Sequence, residues 1–185
     1  MTCILARITI IPLMLLVGAV PGPRTVPHPG GGPALIIPAA SPVRFRGFDK
    51  NGVARFDGQF LLSGTFTLNC DMCEQPATED DVVLYVMPDQ QFAQRMPHWQ
   101  GRGDRMAIEI SNIERLKHSI ATSRQLAGVA SGKIRELRGR ISIVADHYVA
   151  DLGCDNSPYY AARFVKLSRP AKLAQLKVDG DFGCA

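Results

Sequence analysis

The clearest pattern in the chain is a period of two between residues 56 and 68. Phe56, Gly58, Phe60, Leu62, Gly64, Phe66 and Leu68 alternate with Arg55, Asp57, Gln59, Ser63, Thr65, Thr67 and Asn69, and only Leu61 interrupts. Successive side chains of a strand point to opposite faces, so this spacing predicts one long strand with a buried face. Gly58 and Gly64 fall on that buried face, where Gly marks a bend or bulge. Upstream, Asn51-Gly52 separates Val43–Phe48 from Val53–Phe56, a hairpin-turn signal.

Downstream, Val82–Met87 reads as a strand ended by Pro88, and Met106–Ile110 as another. Ser111-Asn112-Ile113-Glu114 matches a capping box, and Ile113, Leu116 and Ile120 share a helical face. One helix is therefore expected over about 112–128, stopped by Gly132. Arg140–Ala145 and Tyr160–Leu167 read as the last two strands, the second stopped by Ser168-Arg169-Pro170.

The 185 residues fit one domain, and 46% hydrophobic with 21% charged residues excludes both wholesale disorder and a polytopic membrane protein. The formal charge of +4 is mildly basic, well short of a dedicated nucleic-acid protein.

The first nineteen residues read as a secretory signal. Ile8 to Val20 carries no charge and is too short for a span of about 20 apolar residues. Val17 and Ala19 stand at −3 and −1, which places cleavage after Ala19 and the mature protein in the periplasm or outside the cell. No transmembrane span is expected to remain. Residues 20–42 hold seven of the 13 prolines and read as a linker, within which Leu35, Ile36 and Ile37 can dock as a short strand. The folded domain is expected over 43–170, with 171–185 as a tail.

Signal removal takes Cys3 and leaves Cys70, Cys73, Cys154 and Cys184, an even number in an exported chain. Two disulfides are expected, with three possible connectivities. Cys70-Asp71-Met72-Cys73 also has the spacing of a redox dithiol. It follows a strand, however, and its acidic neighbours Asp71 and Glu74 raise a thiol pKa.

The element order of bent strand, two strands, helix and two strands resembles the OB-fold, a five-stranded Greek-key barrel with a helix between strands three and four. The resemblance covers 56–167 and rests on that order and on the two glycines of the bent strand. It implies a mainly β protein. A β-sandwich of the same strand count is the alternative architecture. It also implies that the first and fourth connecting loops border one face, so that Cys70 or Cys73 would bond Cys154 and the remaining cysteine would tether Cys184 and the tail. The pairing of Cys70 with Cys73 and Cys154 with Cys184 is the rival.

Candidate chemistry is sparse. Asp146, His147, Tyr148, Asp155 and Tyr159 cluster around the connection between the last two strands, as a polar and aromatic ligand edge or as a solvated turn. Arg115, Lys117, Arg124, Lys133, Arg135, Arg138 and Arg140 face only Glu114 and Glu136, a local excess suited to phosphates or another anionic surface. That stretch lacks the aromatics on which bases stack, which disfavours nucleic acid. Cys154 and Cys184 lie thirty positions apart and His147 is alone, so no metal site is expected. Arg102-Gly103-Asp104 reads as a plain turn, Gly128–Lys133 is too short for a phosphate loop, and His98-Trp99 suits a plug over a small core. No catalytic residue or cofactor is assigned. The first expectation is an exported, non-catalytic binding or adaptor module for an envelope protein or anionic surface. The alternatives are a small envelope enzyme or thiol oxidoreductase using Cys70 and Cys73, and a nucleic-acid or polyanion binder.

Overall fold

The computed structural model describes residues 22–70, 77–101, 103, 106–153 and 156–177. In chain order these form β1 (Arg24–Val26), β2 (Leu35–Ile37), β3 (Arg44–Phe48), β4 (Ala54–Asp57) and β5 (Phe60–Asn69). A 3-10 turn at Glu79–Asp81 precedes β6 (Val83–Pro88), α1 (Gln90–Ala93), β7 (His98–Trp99) and β8 (Ile108–Ser111). Then come α2 (Glu114–Ile120), α3 (Ser123–Ala130), β9 (Glu136–Leu152) and β10 (Pro158–Lys177). The protein is mainly β, with ten strands in two sheets among the described residues, where the sequence predicted a hairpin and five principal strands.

The alternating segment folds with the predicted facing. Phe60, Leu62, Phe66 and Leu68 are buried, whereas Leu61 is exposed and Ser63, Thr65 and Thr67 are partly exposed. It is two strands rather than one. Gly58 has φ +111°, a conformation that L side chains rarely adopt, and it is exposed where the chain steps from β4 to β5. Gly64 does face inward. A Cβ there would collide with the Met87 carbonyl of β6, so glycine is what lets the two backbones cross closely.

β5 pairs antiparallel with β6, β6 with β8, β9 with β5, and β10 with β9. β10 also runs parallel to β8, with Tyr160 opposite Ile108 and Ala162 opposite Ile110. These pairings return on themselves, and β4 and β3 extend the sheet beyond β9. The β3–β4 turn carries the Asn51-Gly52 signal. Asp49 accepts hydrogen bonds from the Asn51 and Val53 amides and from Arg55, and Gly52 has φ +82°.

The Pro/Gly stretch is not a bare linker. Leu35 is fully buried, and β2 pairs with β1 on one side and β7 on the other, with Leu35 opposite Trp99. Three consecutive apolar residues supplied enough burial to order a proline-rich segment. At the other end, 171–177 continues β10 instead of starting a tail.

The predicted helix of 112–128 is two helices, broken at Ala121-Thr122. Thr122 caps α3 through a reciprocal box with Gln125. Ser111 caps nothing: its hydroxyl donates to the Ala162 carbonyl and ties β8 to β10, while α2 starts at Ile113 without a side-chain cap.

The core is rich in aromatic contacts. Tyr148 lies between Phe56, Phe60 and Tyr160, with ring centroids 5.4, 6.0 and 6.3 Å away. Its hydroxyl donates to the Pro97 carbonyl at 2.7 Å. Trp99 is fully buried and donates to the Asp151 carbonyl at 2.8 Å, so the 97–99 segment does plug this core.

Candidate functional site

Strand register aligns outward side chains in a row across the sheet. Thr67 of β5 is opposite Tyr85 of β6, Tyr85 is opposite Glu109 of β8, and Glu109 is opposite Ala161 of β10. Tyr159 lies two positions before Ala161 and therefore on the same face. The Glu109 carboxylate lies beside its hydroxyl. Burial first, and then the charge and hydrogen bond of Glu109, push the Tyr159 phenol up to about 12. Tyr159 remains 41% exposed, and Met87, next but one to Tyr85 on the same face, is 59% exposed. Arg138 borders the row, opposite Thr67, and pairs with Glu136 at 2.8 Å. A half-buried carboxylate flanked by two phenols and a thioether offers hydrogen-bond acceptance beside flat apolar surface. Such a surface suits contact with a ligand that donates hydrogen bonds and presents a flat face.

Of the sequence-selected ligand residues that are described, Tyr159 alone belongs to this row. Asp146 and His147 lie within β9, not in a loop, because β9 continues to Leu152. Asp146 accepts Arg163 Nε and Nη2, each at 2.9 Å, and lies 3.0 Å from His147 Nδ1. Tyr148 faces the opposite way and is buried, and burial raises its phenol well above the usual value. Tyr159 is opposite Asp151, five residues along β9 from Asp146, so the expected cluster divides into separate places. Asp155 lies outside the described residues. Tyr85, Met87 and Glu109 were missed. The available signal was Tyr85 and Met87 themselves, large residues at the outward positions of an alternating strand.

The Arg163 guanidinium, aided by His147, holds the Asp146 carboxyl below the ordinary aspartate range. A carboxyl depressed by folding contributes stability above its unfolded value of about 3.9, and that contribution is lost as pH falls through the folded value. Asp146→Asn is therefore expected to lower the thermal midpoint at pH 7 and to flatten its decline below pH about 4. Parallel melting curves at every pH would contradict the pairing.

The cationic set also divides. Lys117 is fully buried, donating to the Glu79 carbonyl at 2.7 Å and pairing with Glu114 at 2.9 Å. It latches α2 to the 3-10 turn and is not available to a polyanion. Arg115 and Arg124 stand on α2 and α3, Lys133 and Arg135 on the connector to β9, and Arg138 and Arg140 outward on β9.

Cys70 follows β5 and is disulfide-bonded, while Cys73, Cys154 and Cys184 lie outside the described residues. Register separates the two connections along β9. Asn69 is opposite Glu136, whereas the β9–β10 turn follows Leu152, sixteen residues further along β9. At about 3.3 Å per residue that is roughly 50 Å of strand contour. It is Lys177, at the end of β10, that pairs beside the β5 exit through Glu136.

Among the described residues no group of three or more His, Cys, Asp or Glu side chains is placed to hold a metal ion, and no helix is long and apolar enough to cross a membrane. No family model matches the chain, and neither a curated protein nor a solved structure matches it.

Proposed function

We propose that the protein is an exported, non-catalytic binding module built on an OB-like barrel, with its ligand on the outer face of β6 and β8. The observation that carries the reading is the row Tyr85–Glu109–Tyr159, drawn from three strands onto one face. Three further features support it. The circuit β5–β6–β8–β10–β9, with β8 and β10 parallel and the helices between β8 and β9, has the strand order of such a barrel. In barrels of this type the outer face of the second and third strands is the binding face, and here those strands are β6 and β8. The segment Met1–Ala19 has the charge and length of a secretory leader.

Phenol rings give flat stacking surface at small entropic cost, and Glu109 accepts hydroxyl or amide hydrogens. The same carboxylate repels a phosphate chain, so neutral oligosaccharides rank above single-stranded nucleic acid as ligands. Neutral hexasaccharides and a dT oligonucleotide, titrated separately and followed by tyrosine fluorescence, test the reading. A saccharide is expected to saturate, with Tyr159→Ala weakening it by about 1 kcal/mol or more and Asp146→Asn leaving it unchanged. If Tyr85→Ala and Tyr159→Ala bind every probe as the wild type does, this face is not the site.

A further inference from the structure

A second place on the molecule, independent of the tyrosine row, has the form of a binding site. A groove of about 640 Å³ lies between β5, β9, the residues after β6 and the far half of β10. That volume is within the usual range for small-molecule sites. Register explains its floor: Ser63 is opposite Ser142 and Ser142 opposite Arg169, while Thr65 is opposite Arg140 and Arg140 opposite Lys172. The Ser63 and Ser142 hydroxyls are 2.7 Å apart and half-buried. Their mutual bond uses one of the two protons and leaves the other for a ligand.

The charges are not balanced within the groove. Arg140 is fixed by Asp89, which accepts from both guanidinium nitrogens at 2.7 Å, so that pair is closed and acts as a wall. Arg169 and Lys172 also line the groove and have no ion pair among the described residues. Leu61, 45% exposed on an otherwise hydroxyl-bearing face, faces the same space, together with Phe92 and Pro170. Two cations without an ion pair among the described residues, beside an apolar wall, suit a ligand with one anionic head and an apolar body. A neutral ligand would leave both cations idle, and a compact inorganic anion would leave Leu61 and Phe92 wet.

We propose that this groove binds an amphipathic organic anion. Its carboxylate or phosphate is held by Arg169 and Lys172, and its apolar body lies against Leu61, Phe92 and Pro170. No bond is made or broken.

Calorimetric titration of the full protein with octanoate, octyl phosphate, inorganic phosphate and octyl glucoside, each below its aggregation limit, tests the site. Octanoate or octyl phosphate is expected to bind one to one, and the tighter of the two identifies the head group. Octyl glucoside and inorganic phosphate are expected to bind at least about tenfold more weakly, because each lacks one half of the recognition. Arg169→Gln with Lys172→Gln changes two exposed side chains and is expected to weaken the anion about tenfold or more without moving the thermal midpoint of the free protein. Leu61→Asp is expected to weaken it similarly, and Tyr159→Ala not at all. The proposal fails if neither anion saturates, if octyl glucoside equals the anions, or if the double variant binds like the wild type.

Discussion

Phe66→Asp is expected to unfold the protein, and Thr67→Asp, one residue away, to cost less than about 1 kcal/mol. Phe66 is fully buried, and its ring lies so close to Gly139 of β9 that a Cβ there would overlap it. Deleting such a ring costs about 3–5 kcal/mol. Placing a carboxylate in the space adds several kcal/mol of desolvation, unless it protonates at a similar cost. The sum approaches the whole stability of a small domain, about 5–15 kcal/mol. Thr67 points outward, half-buried beside Tyr85 and opposite Arg138, whose cation tolerates a carboxylate. Far-UV circular dichroism and urea titration of the two variants read the difference. Equal losses would show that β5 does not face the core as its alternation requires.

That alternation is the part of the fold legible in the sequence, because strand facing is a local property repeated every two residues. The β3–β4 turn was legible for the same reason: Asn51-Gly52 sets its own backbone conformation. Features set by distant partners were not legible. Ser111 and Thr122 both begin a capping-box sequence, and the box forms at Thr122, because the Ser111 hydroxyl is taken by a carbonyl fifty-one residues away. Lys117 reads as one cation in a basic stretch, yet the 3-10 turn at Glu79–Asp81 covers it completely. The row Tyr85–Glu109–Tyr159 and the Ser63–Ser142–Arg169 floor exist only through register between strands far apart in sequence. No local pattern encodes that register. Tyr159 was found because it lies near the β9–β10 turn; Tyr85 is marked only as a large residue at an outward strand position, and nothing local marks Glu109.

Trp99→Ala is expected to cost about 3–5 kcal/mol and to release the N-terminal strands, whereas Trp99→Phe costs about 1–3 kcal/mol and keeps them docked. The larger figure follows from what the indole joins. Its Nε1–H donates to the Asp151 carbonyl of β9 at 2.8 Å, and its backbone amide donates to the Tyr160 hydroxyl of β10 at 3.1 Å. One side of the ring stacks on Phe48 of β3 with centroids 6.3 Å apart, and His28 meets it edge-on at 5.4 Å. Its backbone pairs with Leu35 of β2. Alanine keeps the backbone bonds but leaves a ring-sized cavity beneath His28 and Leu35, and it removes the indole bond to the Asp151 carbonyl. Phenylalanine fills most of the space and loses only the indole hydrogen bond. β1 is mostly exposed and pairs only with β2, so the two strands dock through Leu35, Ile37 and Val26 around this indole. Removing the indole takes away the surface on which those side chains pack. Limited trypsin digestion at native pH reads the outcome at Arg24. Fast cleavage there is expected in Trp99→Ala, with the wild type and Trp99→Phe resistant. If Arg24 stays protected in Trp99→Ala, or if both variants lose equal stability in urea, the indole does not hold the N-terminal sheet.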